Sequence, residues 1–139
     1  MSENRMYLRL SCLPANIGVA RIAVATFAAG LDFTLPDIEE IKVAVSEVVS
    51  NAVLHAYPGG FGEVTVQASA GDGGLVVEVE DQGVGIPDVE RAREPGFTTA
   101  PDHMGLGFSF MESFMDDLSL ESSPGKGTRV RMVKRRCNP

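Results

Sequence analysis

Asp81-Gln82-Gly83-Val84-Gly85 places a carboxylate and two spaced glycines at the end of the alternating run LVVEVED. An acid at the mouth of a strand can accept a hydrogen bond from an exocyclic amine. Glycines two apart let the backbone approach a flat ligand that any Cβ would block. Asp and Gly also make ordinary turns, so this motif by itself leaves both readings open. Glu47 and Asn51 are four apart and share a helix face. An amide oxygen there can ligate Mg²⁺, a cation that keeps waters and substrate phosphates in its shell. The carboxylate can take a proton from an attacking hydroxyl or water. The alternative is a simple Glu–Asn hydrogen bond on a helix surface. Gly105-Leu106-Gly107 opens a helical run, where backbone N–H groups and the helix dipole favour an anion such as phosphate. Its spacing matches neither G-x-G-x-x-G nor G-x-x-x-x-G-K-[ST]. Gly125-Lys126-Gly127-Thr128 is a fourth glycine element, which a hairpin turn explains equally well.

These residues need elements to position them. Tyr7 to Leu10 alternates and predicts a first strand. Pro14 and Gly30 bracket the apolar segment 15–29 in the order helices prefer. Thr34 or Asp37, with Pro36 between them, begins a second helix that runs to about Ala56, before Pro58-Gly59-Gly60 breaks it. Its core-facing stripe is Ile38, Ile41, Val45, Val48, Val49 and Ala52. Glu47 and Asn51 are expected opposite that stripe, among Val43, Ala44 and Leu54, as a pocket wall. Segments 63–70 and 75–81 predict a β-hairpin through Gly71-Asp72-Gly73-Gly74. A loop-rich stretch over 82–104 follows, with a short helix around 89–93, and its length suits a lid. A helix over 108–115 and strands over 118–122 and 128–133 complete the pattern. The sum is one α+β domain over residues 1–139, a two-layer sandwich with helices on one face of a mixed, mostly antiparallel sheet.

A formal net charge of −7 and a pI near 4.7 argue against direct nucleic-acid binding, which wants a basic face. Lys134-Arg135-Arg136 is the basic exception and reads as a solvated chain end. Cys12 and Cys137 lie near opposite ends, which makes neither a disulfide framework nor a zinc spacing and fits a reducing cytoplasm. No apolar run approaches the roughly 20 residues of a membrane span, and MSENR does not read as a signal peptide. The expectation is a soluble cytoplasmic protein that contacts neither nucleic acid nor membrane.

In this order the four elements resemble those of the GHKL ATPases, the superfamily of DNA gyrase and histidine-kinase catalytic domains. Glu47-x-x-x-Asn51 looks like its N box, Asp81-x-Gly83-x-Gly85 like its first glycine box and Gly105-x-Gly107 like its second. Gly127-Thr128 looks like the closing glycine–threonine element. SEVVSNAVLHAY, DQGVGIPDVERAREPGFTT and GLGFSFMESFMDDLSLES are similar to the sporulation anti-sigma branch of that superfamily over nearly the whole chain. The resemblance implies a Bergerat-type fold, ATP or ADP with Mg²⁺ as ligand, and a protein-serine kinase. It implies a sigma factor of RNA polymerase as one partner, an anti-anti-sigma protein with a phosphoacceptor serine as another, and a homodimer.

By the same resemblance Glu47 is the catalytic base and Asn51 the Mg²⁺ ligand. Asp81 accepts from the adenine amino group, Gly83 and Gly85 lie beneath the ring, and Thr128 supports the water network around it. Gly105, Leu106, Gly107 and Phe108 line the phosphates. Phe97, Thr98 and Thr99 through Met104 form the lid. His55 either faces the nucleotide or packs at the helix end. The lid segment Ala100-Pro101-Asp102-His103-Met104 departs from the family pattern in having no Lys or Arg to approach the terminal phosphate. Two other readings stay open: a sigma-binding module that holds ATP without transferring phosphate, and the catalytic domain of a histidine kinase. Arg21, and the acids Glu112, Asp116 and Asp117, are either partner contacts or simply solvated.

Overall fold

The structure is a computed structural model that describes residues 4–71, 73–85 and 107–135. Along the chain run β1 (Arg5–Ser11), α1 (Ala15–Ala29), α2 (Leu35–His55), β2 (Glu63–Gly71), β3 (Gly74–Asp81), α3 (Gly107–Phe114), β4 (Asp117–Ser122) and β5 (Thr128–Arg135). The short helix expected over 89–93 and the lid lie outside the described residues. The strands form one sheet in the order β1-β2-β3-β5-β4, and all its pairings are antiparallel. The parallel component expected of a mixed sheet is therefore not found among the described strands.

The start of α2 uses both residues that the sequence offers for it. The Asp37 amide donates to the Thr34 hydroxyl at 3.2 Å, while the Thr34 amide donates to Asp37 Oδ2 at 3.3 Å. This reciprocal box satisfies two orphan donors, and Pro36 sits in the first turn, where its missing N–H costs nothing. The β2–β3 ladder closes on the pair Gly71↔Gly74, tighter than the four-residue connection suggests.

Alternation decides what the sheet buries. Val64, Val66 and Ala68 of β2, Leu75, Val77 and Val79 of β3, and Val130 and Met132 of β5 all face one side and are buried. Ala20, Val24 and Ala28 of α1, Ile41, Val45 and Val49 of α2, and Met111 of α3 close over them in a single core. Each fully buried aliphatic side chain contributes about 1.5–3 kcal/mol. The other face carries cross-strand ion pairs, among them Arg129 with Glu121 at 3.1 Å and Arg131 with Glu78 at 3.6 Å. Those pairs are exposed and add little to stability. Their role is to keep one face wet, which makes a two-layer sandwich.

Of the basic run expected to be a solvated chain end, Lys134 and Arg135 are not one, and Arg136 lies outside the described residues. Lys134 and Arg135 belong to β5, and Lys134 continues the inward alternation of Val130 and Met132. Its ammonium donates to the Phe114 carbonyl at 2.5 Å and reaches Glu40 at 3.4 Å. The Arg135 side chain pairs with Asp117, and its amide donates to Asp116. Two of the acids considered for partner contacts are thus engaged within the chain.

Candidate functional site

Asp81 is the last residue of β3 and occupies the inward position that alternation would give an apolar residue. It is 7% exposed. Burial pushes its carboxyl above the ordinary range; the amides of Gly83 and Thr128 pull the other way, and the neighbouring Glu80 charge adds a small upward push. The Gly83 amide donates to Oδ1 at 2.9 Å. A carboxylate can accept about four hydrogen bonds, so an acid held by main-chain donors keeps capacity for an amine ligand.

Three segments meet around this acid, and the glycines are what let them meet. The Val84 amide donates to the Ala56 carbonyl at the end of α2 (2.8 Å), and the Gly125 amide donates to the Val84 carbonyl (2.7 Å). A methyl group on Gly83 would overlap the Ala56 carbonyl. One on Gly85 would overlap the Ser123 carbonyl, and one on Gly127 the Asp81 carbonyl. Gly85 and Gly127 also take positive φ values, 79° and 82°, which side chains rarely adopt. By their spacing, Gly83 and Gly85 are expected to let a ligand approach the main chain. Their contacts show a prior requirement, the close packing of main chain on main chain, which gives the acid a rigid floor.

Thr128 lies opposite Asp81 in the β3–β5 register, and its hydroxyl is 2.8 Å from that of Ser122. Ser122 was not anticipated, because its contact depends on the β4–β5 pairing. Tyr57 was also missed. Its hydroxyl donates to the Glu63 carbonyl at 2.7 Å and accepts from the Gln82 amide at 2.8 Å. The one cue in the sequence is Gly62, where any Cβ would collide with the Tyr57 ring.

Along α2, Glu47, Asn51 and His55 follow at four-residue spacing and are all half-buried. They flank the buried stripe instead of opposing it. Ala44, expected beside them on the far face, is completely buried, while Val43 and Leu54 are 40% and 47% exposed. A half-buried flank still suits a pocket wall. It leads to Ala56, which abuts the glycine turn. Gly107 opens α3 and Phe108 follows it. Thr98, Thr99, Gly105 and Leu106 lie outside the described residues. Among the described residues no three His, Cys, Asp or Glu side chains cluster as a metal cage. Asn51 carries the kind of donor, an amide oxygen, that a hard cation shared with phosphate oxygens can take.

The family model for the histidine kinase-like ATPase domain matches residues 10–134, and the chain belongs to that family. Within it, the chain is 46% identical to the anti-sigma F factor of Clostridium acetobutylicum, over 97% of this chain and 96% of the relative. It is 44% identical to the anti-sigma F factor of Bacillus subtilis, over 95% and 92%. A Mycobacterium tuberculosis structure of RsbU and RsbW domains superposes with a TM-score of 0.70 at 23% identity, covering 95% of this chain and 32% of that larger one. The mycobacterial sensor histidine kinase MprB superposes with a TM-score of 0.61 at 22% identity, over 94% and 99%. At those identities the structures speak for the fold alone. The ATPase domain implies nucleotide binding. Among the described residues no helix is long and apolar enough to cross a membrane.

Proposed function

We propose that this chain is an anti-sigma factor that binds ATP with Mg²⁺ and phosphorylates a serine of an anti-anti-sigma protein. One observation carries the site: Asp81, buried at the end of β3 and held by the Gly83 amide. The likeness to anti-sigma F factors over nearly the whole chain supports the partner class, a sigma factor of the sporulation F type. A cytoplasmic homodimer is the form that this reading assigns to it.

In this mechanism Asp81 accepts from the adenine amino group and so sets the register of the nucleotide along α2. Asn51 provides the amide oxygen for the cation, and His55 lies one turn nearer the glycine floor. Thr128 orders the solvent around the base, and the glycine element 105–107 with Phe108 is assigned to the phosphates. Mg²⁺, when bound, neutralises phosphate charge. Glu47 accepts the proton as the partner's serine oxygen bonds to the γ-phosphorus and the bond to the ADP leaving oxygen breaks. Positioning and charge neutralisation supply most of the rate in such transfers.

The test is incubation with γ-labelled ATP and an anti-anti-sigma protein. Label on the partner as acid-stable phosphoserine supports the kinase, whereas an unlabelled partner would leave a pure sigma-binding module. Glu47→Ala is expected to keep ATP binding while transfer slows by about 10²–10⁴-fold, the usual worth of a positioned base. Transfer at the parent rate removes Glu47 from the role.

A further inference from the structure

We infer that Tyr57 is a positioning residue for adenine recognition, acting through the main chain that carries Asp81. The inference rests on the nucleotide reading of the site and deepens it.

The Tyr57 hydroxyl bridges β2 and β3 one rung beyond Val64↔Asp81, the last pair of their ladder. It donates to the carbonyl of Glu63, the first residue of β2, and accepts from the amide of Gln82, the residue after Asp81. Both contacts lie within 2.8 Å. The peptide that links Asp81 to Gln82 is thus fixed on one side by Tyr57. On the other side the Gly83 amide returns to Asp81 Oδ1 at 2.9 Å. Two successive amides after the acid are therefore committed, one to a side chain just beyond the end of α2 and one to the acid itself.

The ring is held as firmly as the hydroxyl. Gly62 leaves the space it fills, and Tyr57 packs against the core. Burial is the largest influence on the phenol and raises it above its ordinary range, and the Asp81 charge adds to this, as expected for neighbours. Tyr57 follows α2 directly, after Ala56. The helix that carries Glu47 and Asn51 is thereby tied to the acid at its far end. If Asp81 distinguishes adenine by its amino group, that discrimination depends on where the 81–82 peptide stands.

Tyr57→Phe removes the hydroxyl and keeps the ring. Affinities for ATP and GTP, measured by isothermal titration on the full chain, are compared with those of Asp81→Asn and Thr65→Val. Thr65 loses a similar hydroxyl between β2 and β3, where it donates to the Glu80 carbonyl at 3.4 Å. Tyr57→Phe loses both hydrogen bonds of the hydroxyl and is expected to bind ATP about tenfold more weakly, and to narrow the ATP-over-GTP preference by a similar factor. Thr65→Val should leave both unchanged, and Asp81→Asn should abolish the preference. A Tyr57→Phe protein that melts earlier but keeps the parent preference overturns the inference and leaves the site standing. An Asp81→Asn protein that binds ATP like the parent overturns the nucleotide reading, and this inference with it.

Discussion

Asp81 and Lys134 are the two charged side chains buried among the described residues, and they lie at opposite ends of one strand pair. In the β3–β5 register Asp81 faces Thr128, while Lys134 faces Leu75. Both point to the helix-covered side. Lys134 has its charge met within the chain, by the Phe114 carbonyl at the end of α3 and by Glu40 on α2. What holds Asp81 is main-chain amides, which set where the carboxylate stands without cancelling its charge. A buried charge with a matched partner is a fastening between elements; one kept in place but not neutralised is a receptor. The receptor end is also where glycines let three segments interlock, whereas the fastened end is closed by side chains.

The sharpest way to break that comparison is Asp81→Asn. ATP affinity should fall by about a hundredfold or more, since a carboxylate bonds more strongly than a neutral amide and an amide NH₂ faces the adenine amine donor to donor. The fold should not suffer. Burial raises the carboxyl of Asp81 in the folded chain. Its contribution to stability is therefore present below the carboxylate range of the unfolded chain, about pH 4, and is lost as pH rises through the folded pKa. Melting curves from pH 4 to 7 should show the parent losing stability relative to Asp81→Asn as pH rises. The opposite slope would mean that Asp81 is paired in the folded state like Lys134.

Gly85→Ala tests the floor beneath the acid. The φ of 79° and the overlap with the Ser123 carbonyl should together cost about 2 kcal/mol or more, read as an earlier melting transition. ATP affinity should fall with it, because the floor and the acid share one turn. Lys134→Met should do the reverse at the other end. Removing the ammonium leaves Glu40 and the Phe114 carbonyl without it, at a cost of about 1–3 kcal/mol, since the partial exposure of Glu40 moderates the penalty of a broken buried pair. Nucleotide affinity in the folded fraction should change less than in Gly85→Ala. If Lys134→Met abolished binding outright, the division between fastening and receptor would not hold.

The strands and helices were legible because local rules agree with the global ones: alternation in 63–70 and 75–81, Pro and Gly around α1, and Thr34 or Asp37 with Pro36 at the start of α2. Asp81 stood out because it ends an alternating strand just before two spaced glycines, and the structure places it at the inward position after Val79. Lys134 does the same after Met132, yet a run of basic residues near the chain end masked the signal. The Glu47–Asn51 flank was misplaced by Ala44, whose small side chain gives composition little to say about burial. Tyr57 and the glycine contacts were illegible for another reason. Their partners, Gln82 for Tyr57 and Ser123 for Gly85, are 25 and 38 residues away (82 − 57 and 123 − 85), and no local pattern reports such distances.

The smallest effect is expected where neither kind of buried charge is involved. Asp32, in the turn between α1 and α2, has a φ of 62°, the one left-handed backbone among the described non-glycine residues. Left-handed backbone costs an ordinary L-residue about 1–2 kcal/mol, and Asp is among the residue types found there most often after glycine. Glycine removes that strain but adds roughly 0.4–1 kcal/mol of conformational entropy to the unfolded chain. The two nearly cancel, so Asp32→Gly should melt within a few degrees of the parent, while Asp32→Ala puts a residue that tolerates this backbone less well in its place and melts lower. Neither change should alter ATP affinity, because the turn precedes the capping box that independently fixes the start of α2. An Asp32→Ala protein as stable as the parent would mean that the turn carries no strain, and a change in ATP affinity with either variant would mean that α2 is positioned from its first turn as well as from Tyr57.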